Sequence, residues 1–190
     1  GLEIVKQCDI IYIEDYTSLL QCTKEDLETF YDKKIILADR ITTEQHTQQI
    51  ITEAKTKSVA FLVIGDPFSA TTHIELYRQA REQQVGVKVF NNASILTAVG
   101  VTGLQLYKFG KTTSIPFDNP QVETPYTVLK ENQSLGLHTL FLLDLKPEEK
   151  RFMTVNQALE ILETIEKNKP EQLITDSTLV VGCARLGSDN

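Results

Sequence analysis

The residues whose types and spacing could do chemistry fall in a few short stretches, each following an apolar run. Gly65-Asp66-Pro67-Phe68-Ser69-Ala70-Thr71-Thr72-His73 comes directly after the most apolar run of the chain. Gly65 permits close backbone approach, and Pro67 fixes a turn without presenting an N–H. Thr71 or Thr72 can cap the helix that follows, whose N-terminus favours an anion such as a ligand carboxylate. Asp66 then projects toward a crevice, where it could hold a cationic or hydroxyl-bearing ligand. A plain turn with Asp66 as its local cap reads from the same residues. In Asn91-Asn92-Ala93-Ser94-Ile95-Leu96-Thr97-Ala98-Val99-Gly100, Ser94 reads as a helix cap. The backbone N–H groups beyond it could meet the polar edge of a flat ligand, or the stretch is a simply packed helix. Glu14-Asp15-Tyr16-Thr17-Ser18 either lines a pocket or forms a solvated turn.

Alternating elements must position these stretches. Runs rich in Ile and Val predict strands at Asp9–Glu14, Lys34–Ala38, Ser58–Gly65, Lys88–Asn91, His138–Leu145 and Thr178–Ala184. Several are apolar without alternation, notably Val59 to Ile64 and Leu140 to Leu143. Such strands need both sheet faces covered, as in parallel sheets flanked by helices. Helical spacing predicts helices over Thr43–Lys55, Thr72–Gln84 and Thr154–Lys167, the last with Val155, Ala158, Leu159, Leu162 and Ile165 on one side. The order predicts an α/β fold with largely parallel strands, in two domains, 1–92 and 93–190. In such folds ligands bind at the carboxyl ends of the strands, which is where the stretches above lie.

Composition narrows the classes of function. The chain has 190 residues, 41% hydrophobic and 24% charged, as in an ordinary globular protein. A net charge of −7 argues against a nucleic-acid footprint, which needs clustered Lys and Arg. No apolar run approaches the roughly 20 residues that cross a bilayer, and the first residues lack the pattern of a signal peptide. Cys8, Cys22 and Cys183 are widely spaced, without metal or disulfide patterning, which fits a reducing, cytoplasmic compartment. His46, His73 and His138 show no zinc spacing, so no metal is expected. Phosphate-binding loops of the common nucleotide motifs and a G-x-S-x-G elbow are absent from the sequence.

At these same loops the chain resembles the diphthine synthase branch (diphthine methyl ester synthase type) of the tetrapyrrole methylase superfamily. The resemblance rests on Glu14 to Ser18, Leu37 to Arg40, Val59 to His73, Asn92 to Ile95 and Ala98 to Gly100. It continues through Gly103 to Gly110, Gly136 to Leu140, Thr154 to Gln157 and Gly182 to Asp189, in family order. It implies two α/β domains with S-adenosylmethionine in the cleft between them, in a homodimer. The implied cofactor contacts are Asp66 and Ser69 in the first loop, Ser94 and Ile95 in the second, then Leu143 and Leu186. The implied reaction is methyl transfer to the amino group of an aminocarboxypropyl chain on a histidine of translation elongation factor 2, repeated to a trimethylammonium. Eukaryotic members are expected to methylate the carboxylate as well. A methyl sulfonium is already electrophilic, so alignment of an unprotonated amine is the main task, and no nucleophilic side chain is assigned.

Family members carry a further strand and Gly-rich loop ahead of the position where this sequence starts. They also have a longer connection between Leu145 and Arg151 and a segment beyond Asn190, so the resemblance implies that parts of the cofactor site lie outside these residues. A cobalamin-precursor methylase would share fold and cofactor, but the Gly103 to Gly110 and Thr154 to Gln157 words favour the diphthine branch. A non-catalytic module that docks on the elongation factor is the alternative from another class.

Overall fold

A computed structural model of the chain describes residues 1–187 apart from Thr17, Gln21, residues 40–46, Ala70, Pro120, Gln121 and Pro170. Arg40, His46, the start of the helix expected from Thr43, and the end of the Gly182 to Asp189 word lie outside the described residues. So do Thr17 and Ala70 within their motifs. The chain divides into two compact units, Gly1–Ser94 and Ile95–Asn190.

The first unit is built on a parallel sheet of β1 (Ile10–Glu14), β2 (Ile35–Ala38) and β3 (Val59–Leu62), in the order β2-β1-β3. Pairing runs from Ile11 opposite Ile35 to Glu14 opposite Ala38, and from Ile10 opposite Val59 to Ile13 opposite Leu62. Helices α1 (Leu2–Gln7), α2 (Lys24–Tyr31), α3 (Thr47–Ala54) and α4 (Ile74–Glu82) accompany the strands. With a two-residue repeat, Ile11 and Ile13 of β1 face one side and Tyr12 the other. Ile11 and Ile13 join Val5, Ile35, Leu27 and Tyr31, while Tyr12 joins Ala38, Ile50, Phe61 and Leu76. Both faces are thus covered at β1, while Ile36 and Leu37 of the edge strand β2 stay exposed. The buried Tyr12 hydroxyl donates to Glu53 at 2.7 Å. Burial first, and then the Glu53 carboxylate, push its phenol up to about 12.

Local chemistry sets where these elements start. Thr23 and Asp26 form a reciprocal capping box at the head of α2. Glu28 of α2 accepts the Ile35 N–H at 3.0 Å and the Lys34 ammonium at 2.7 Å, which ties the helix to the start of β2. The Ile35 N–H, then Lys34, hold the Glu28 carboxyl down at about 2. Asp9 accepts both the Ser58 N–H (2.8 Å) and hydroxyl (2.9 Å), fixing the start of β1 beside that of β3.

The second unit opens with α5 (Ile95–Ala98) and two tight 3₁₀ turns, Val99–Thr102 and Leu106–Lys108. Strand β4 (Thr113–Ile115) then pairs in parallel with β5 (Phe141–Leu143) across α6 (Thr124–Ser134). A short antiparallel hairpin follows, β6 (Leu145–Lys146) with β7 (Arg151–Phe152), and then α7 (Val155–Asn168). Helix α7 starts at a Thr154–Gln157 capping box and buries Ala158, Leu162 and Ile165. Ile115, Met153, Ala158 and Leu162 form the core, with Phe117, Phe141, Leu143 and Ile174 against it. Glu166 accepts the Tyr126 hydroxyl and the N–H groups of Gln172, Leu173 and Ile174, which anchors the chain after α7.

Several expected strands come out differently. Ser58–Gly65 shortens to β3, because β1 offers no pairing partner beyond Ile13 opposite Leu62. His138–Leu145 breaks at Asp144, whose carboxylate takes the Phe117 N–H while the chain changes partner from β4 to β7. Lys88–Asn91 and Thr178–Ala184 form no strand. Their composition favours extended backbone, but a strand requires a neighbour to bond, and none of the described residues supplies one. In the second of them Leu179 is 96% exposed.

Gly110 shows how closely the second unit is fitted. Asn132 is 2% exposed. It spans Lys111 by accepting its N–H and donating to its C=O, both at 2.9 Å, and also donates to Thr139. A Cβ on Gly110 would stand 2.1 Å from the Asn132 Oδ1. Gly110→Ala is therefore expected to lower the melting temperature by roughly 3–10 °C, from about 1–3 kcal/mol of overpacking. Gly86→Ala, where nothing lies within 4 Å, should leave it within about 1 °C, and thermal unfolding of the two variants side by side checks this.

Candidate functional site

Because β1, β2 and β3 are parallel, their carboxyl ends share one edge of the sheet. The loops leaving that edge carry the stretches that could do chemistry. The loop after β3 turns at Gly65, whose φ of +107° suits glycine, with Ala93 O 3.4 Å from where a Cβ would sit. The next residue organises the turn. Asp66 Oδ1 accepts the Phe68 N–H and the Ser69 hydroxyl, both at 3.0 Å. Its Oδ2 accepts the Asn92 N–H at 3.2 Å, from a segment 26 residues further along. Asn92 in turn accepts the Ala93 N–H at 2.8 Å. One carboxylate thus closes its own turn and holds it against the segment that leads to Ser94. The Phe68 and Asn92 N–H groups, followed by the Ser69 hydroxyl, hold the Asp66 carboxyl below its ordinary value.

This geometry is the capped turn that one of the two sequence readings expects. Asp66 is a local cap, and it is also half-buried at the sheet edge beside a glycine. Oδ1 is saturated by two donors, whereas Oδ2 takes one, so it retains a lone-pair direction for one further donor. A ligand hydroxyl or amino group is what such an oxygen accepts. These residues therefore fit a ribose- or amine-bearing cofactor.

The implied site residues are placed as follows. Asp66 and Ser69 meet directly. Ser94 is half-buried, immediately after the Asn92–Ala93 segment that Asp66 holds, and Ile95 begins α5. Leu143 ends β5 opposite Ile115, half-buried, with part of its side chain on the core of the second unit. Leu186 is half-buried in a turn between Arg185, at φ 51°, and Gly187, at φ 87°. The Asp66–Ser69 pair belongs to the first unit, and Leu143 and Leu186 to different elements of the second.

Sequence reasoning missed two features. Asn92 takes part through its backbone, which no residue type announces. Glu14, at the end of β1, is 0% exposed and His73 4%, while Asp15 just beyond is exposed. The available signal was the strand repeat, which puts Glu14 on the same face as the buried Tyr12. Among the described residues no group of three or more His, Cys, Asp or Glu could hold a metal ion, and no helix is long and apolar enough to cross a membrane.

The family model described as tetrapyrrole (corrin/porphyrin) methylases matches residues 1–190. The chain is 46% identical over 192 residues to the diphthine synthase of Methanococcus maripaludis, covering 100% of this chain and 75% of that one. It is 44% identical over 211 residues to the diphthine methyl ester synthase of Homo sapiens, covering 100% of this chain and 74% of that one. A crystal structure of diphthine synthase superimposes with a TM-score of 0.82 at 39% identity, over 88% of this chain and 65% of that chain. The chain therefore spans about three quarters of the length of these curated relatives and just under two thirds of the crystallised one. With the parallel sheets, the loop order and these likenesses in agreement, the chain belongs to the tetrapyrrole methylases and, within them, to the diphthine synthase family of methyltransferases.

Proposed function

We propose that the protein transfers methyl groups from S-adenosylmethionine to the aminocarboxypropyl-modified histidine of elongation factor 2, the methylation step of diphthamide biosynthesis. Family membership makes it a methyltransferase, and relatives named for diphthine and its methyl ester support the substrate. The single observation that carries the cofactor reading is the Asp66 carboxylate, which closes a glycine turn and keeps one acceptor direction on Oδ2. Asp66 and Ser69, then Ser94, Ile95, Leu143 and Leu186, are the proposed cofactor contacts. We place the enzyme in the cytoplasm, as a homodimer that needs no metal.

In this reading the cofactor supplies an electrophilic methyl sulfonium. Asp66 accepts a hydroxyl or amino hydrogen, which orients the ligand, and the fixed turn lets backbone groups approach it without rearrangement. Ser69 acts chiefly through Asp66, since its hydroxyl is already donated there. The two leucines contribute apolar surface. The acidic balance of the chain, −7, suits a basic patch on a protein substrate.

Incubation with labelled S-adenosylmethionine and elongation factor 2 bearing the aminocarboxypropyl histidine tests the proposal. Label is expected in the factor and should vanish when its modified histidine is replaced. Tight cofactor binding with no label would move the substrate elsewhere among the tetrapyrrole methylases, to a macrocycle as in the cobalamin-precursor enzymes. Neither label nor binding would leave a docking module. For the residue assignment, Asp66→Ala should weaken cofactor binding by roughly tenfold or more, as losing hydrogen bonds to a charged group does, while the protein still folds and melts cooperatively. Unchanged affinity in a calorimetric titration would remove Asp66 from the site.

The loop should also respond to acid in a defined direction. A carboxyl depressed in the folded state stabilises it above the unfolded pKa, and that stability is lost as pH falls through the folded value. The Asp66 carboxyl lies below its ordinary value of 3.8, so the amide resonances of Phe68 and Asn92 should shift together with a midpoint under 3.8. A midpoint at or above 3.8, or separate midpoints, would contradict the shared carboxylate.

A further inference from the structure

We infer that Glu14 and His73 form a buried positioning pair that sets the shape of the Asp66 loop from below, and so sets affinity for the cofactor. The inference rests on the proposed cofactor reading of that loop. It begins with an expense that the fold alone does not require. A carboxylate at 0% exposure and an imidazole at 4% stand together at the edge of an apolar core, and burying such groups is costly unless each is well partnered. Two of the contacts of Glu14 reach the two ends of one loop. Glu14 Oε1 accepts the N–H of Ile64, where the chain leaves β3, at 3.3 Å. Glu14 Oε2 lies 3.9 Å from Nε2 of His73, where the chain enters α4. Between these ends lie Gly65, Asp66 and Ser69.

His73 extends the grip. Its Nδ1 is hydrogen-bonded to the hydroxyl of Thr71, inside the loop. With that hydroxyl donating, the neutral ring carries its N–H on Nε2, toward Glu14. The Phe61 and Tyr16 rings, with centroids 5.5 and 6.1 Å from that of His73, restrict the imidazole sideways. Asp66 ties the loop to Asn92 from one side, and Glu14 and His73 fix its feet from the other. Neither group is exposed enough to touch a ligand, so both are positioning residues rather than catalytic ones.

Glu14→Gln keeps the shape of the side chain but replaces one oxygen by an NH₂ group. Whichever way the amide turns, one end of the loop then faces a donor instead of an acceptor. The expected result is a KM for S-adenosylmethionine raised roughly tenfold, as for loss of one charged hydrogen bond, with kcat changed less than twofold. Amide exchange should quicken over residues 64–73, with the rest of the sheet unaffected. Unchanged KM and unchanged exchange in that loop would overturn the inference. So would faster exchange spread through the whole sheet with kcat and KM both impaired, the mark of a purely structural role. If Glu14→Gln does not fold, Thr71→Val tests the far end of the same chain of contacts: faster loop exchange with raised KM supports it, and wild-type behaviour overturns it. If the unaltered protein binds no S-adenosylmethionine, the functional reading fails by itself. The exchange comparison then decides whether the pair positions the loop.

Discussion

A strand hydrogen-bonded along both edges, with helices over both faces, leaves a short charged side chain little room except at its ends. Strand β1 is in that position, and Ile11, Tyr12, Ile13 and Glu14 are all buried. The groups the core cannot absorb are therefore dealt with where the strand starts and stops. Asp9 does so at the start by gripping Ser58, and Glu14 does so at the end by gripping Ile64. Both bonds run to the β3 side, so the same constraint that aligns the sheet also sets where the loop after β3 begins.

From there the order in the first unit passes outward by hydrogen bonds rather than by packing. Gly65 supplies the turn that a side chain would strain, Asp66 gathers its donors, and Asn92 is drawn in from a distant part of the sequence. A ligand arriving at this edge meets a turn whose entropy has already been lost in folding, which is how a preorganised site gains affinity. The second unit obtains its rigidity by comparable means: Asn132 spans Lys111 at the head of β4, and Glu166 collects the chain that follows α7.

How much of this is legible in the sequence depends on whether the signal is local. The apolar stripe of Val155 to Ile165 and the capping Thr154 are local, and α7 lies where they predict, as do β1 and β2. Lys88–Asn91 and Thr178–Ala184 have the composition of strands, yet pairing is a property of two segments, and neither pairs among the described residues. The Thr113 strand and the Thr124 helix carry weak periodicity and are visible only once β5 and the core of the second unit are in place. At the candidate site, the loop after β3 stands out because glycine, aspartate and proline punctuate an apolar run. The part played by Asn92 is invisible, since a backbone N–H has no letter. The Glu14 stretch leaves a pocket wall and a solvated turn equally open, and the burial of Glu14 shows only once Ile64 and His73 stand beside it.

The central claim is that the turn at Gly65 and the segment held to it by Asp66 are where the cofactor sits. The most direct measurement is a titration of S-adenosylhomocysteine into isotopically labelled protein, followed by amide chemical shifts. The account predicts saturable shifts concentrated on residues 65–69 and 92–95, on the two segments joined by the Asp66 carboxylate. Saturable binding that leaves both segments unmoved, with the shifts elsewhere in the chain, would contradict it.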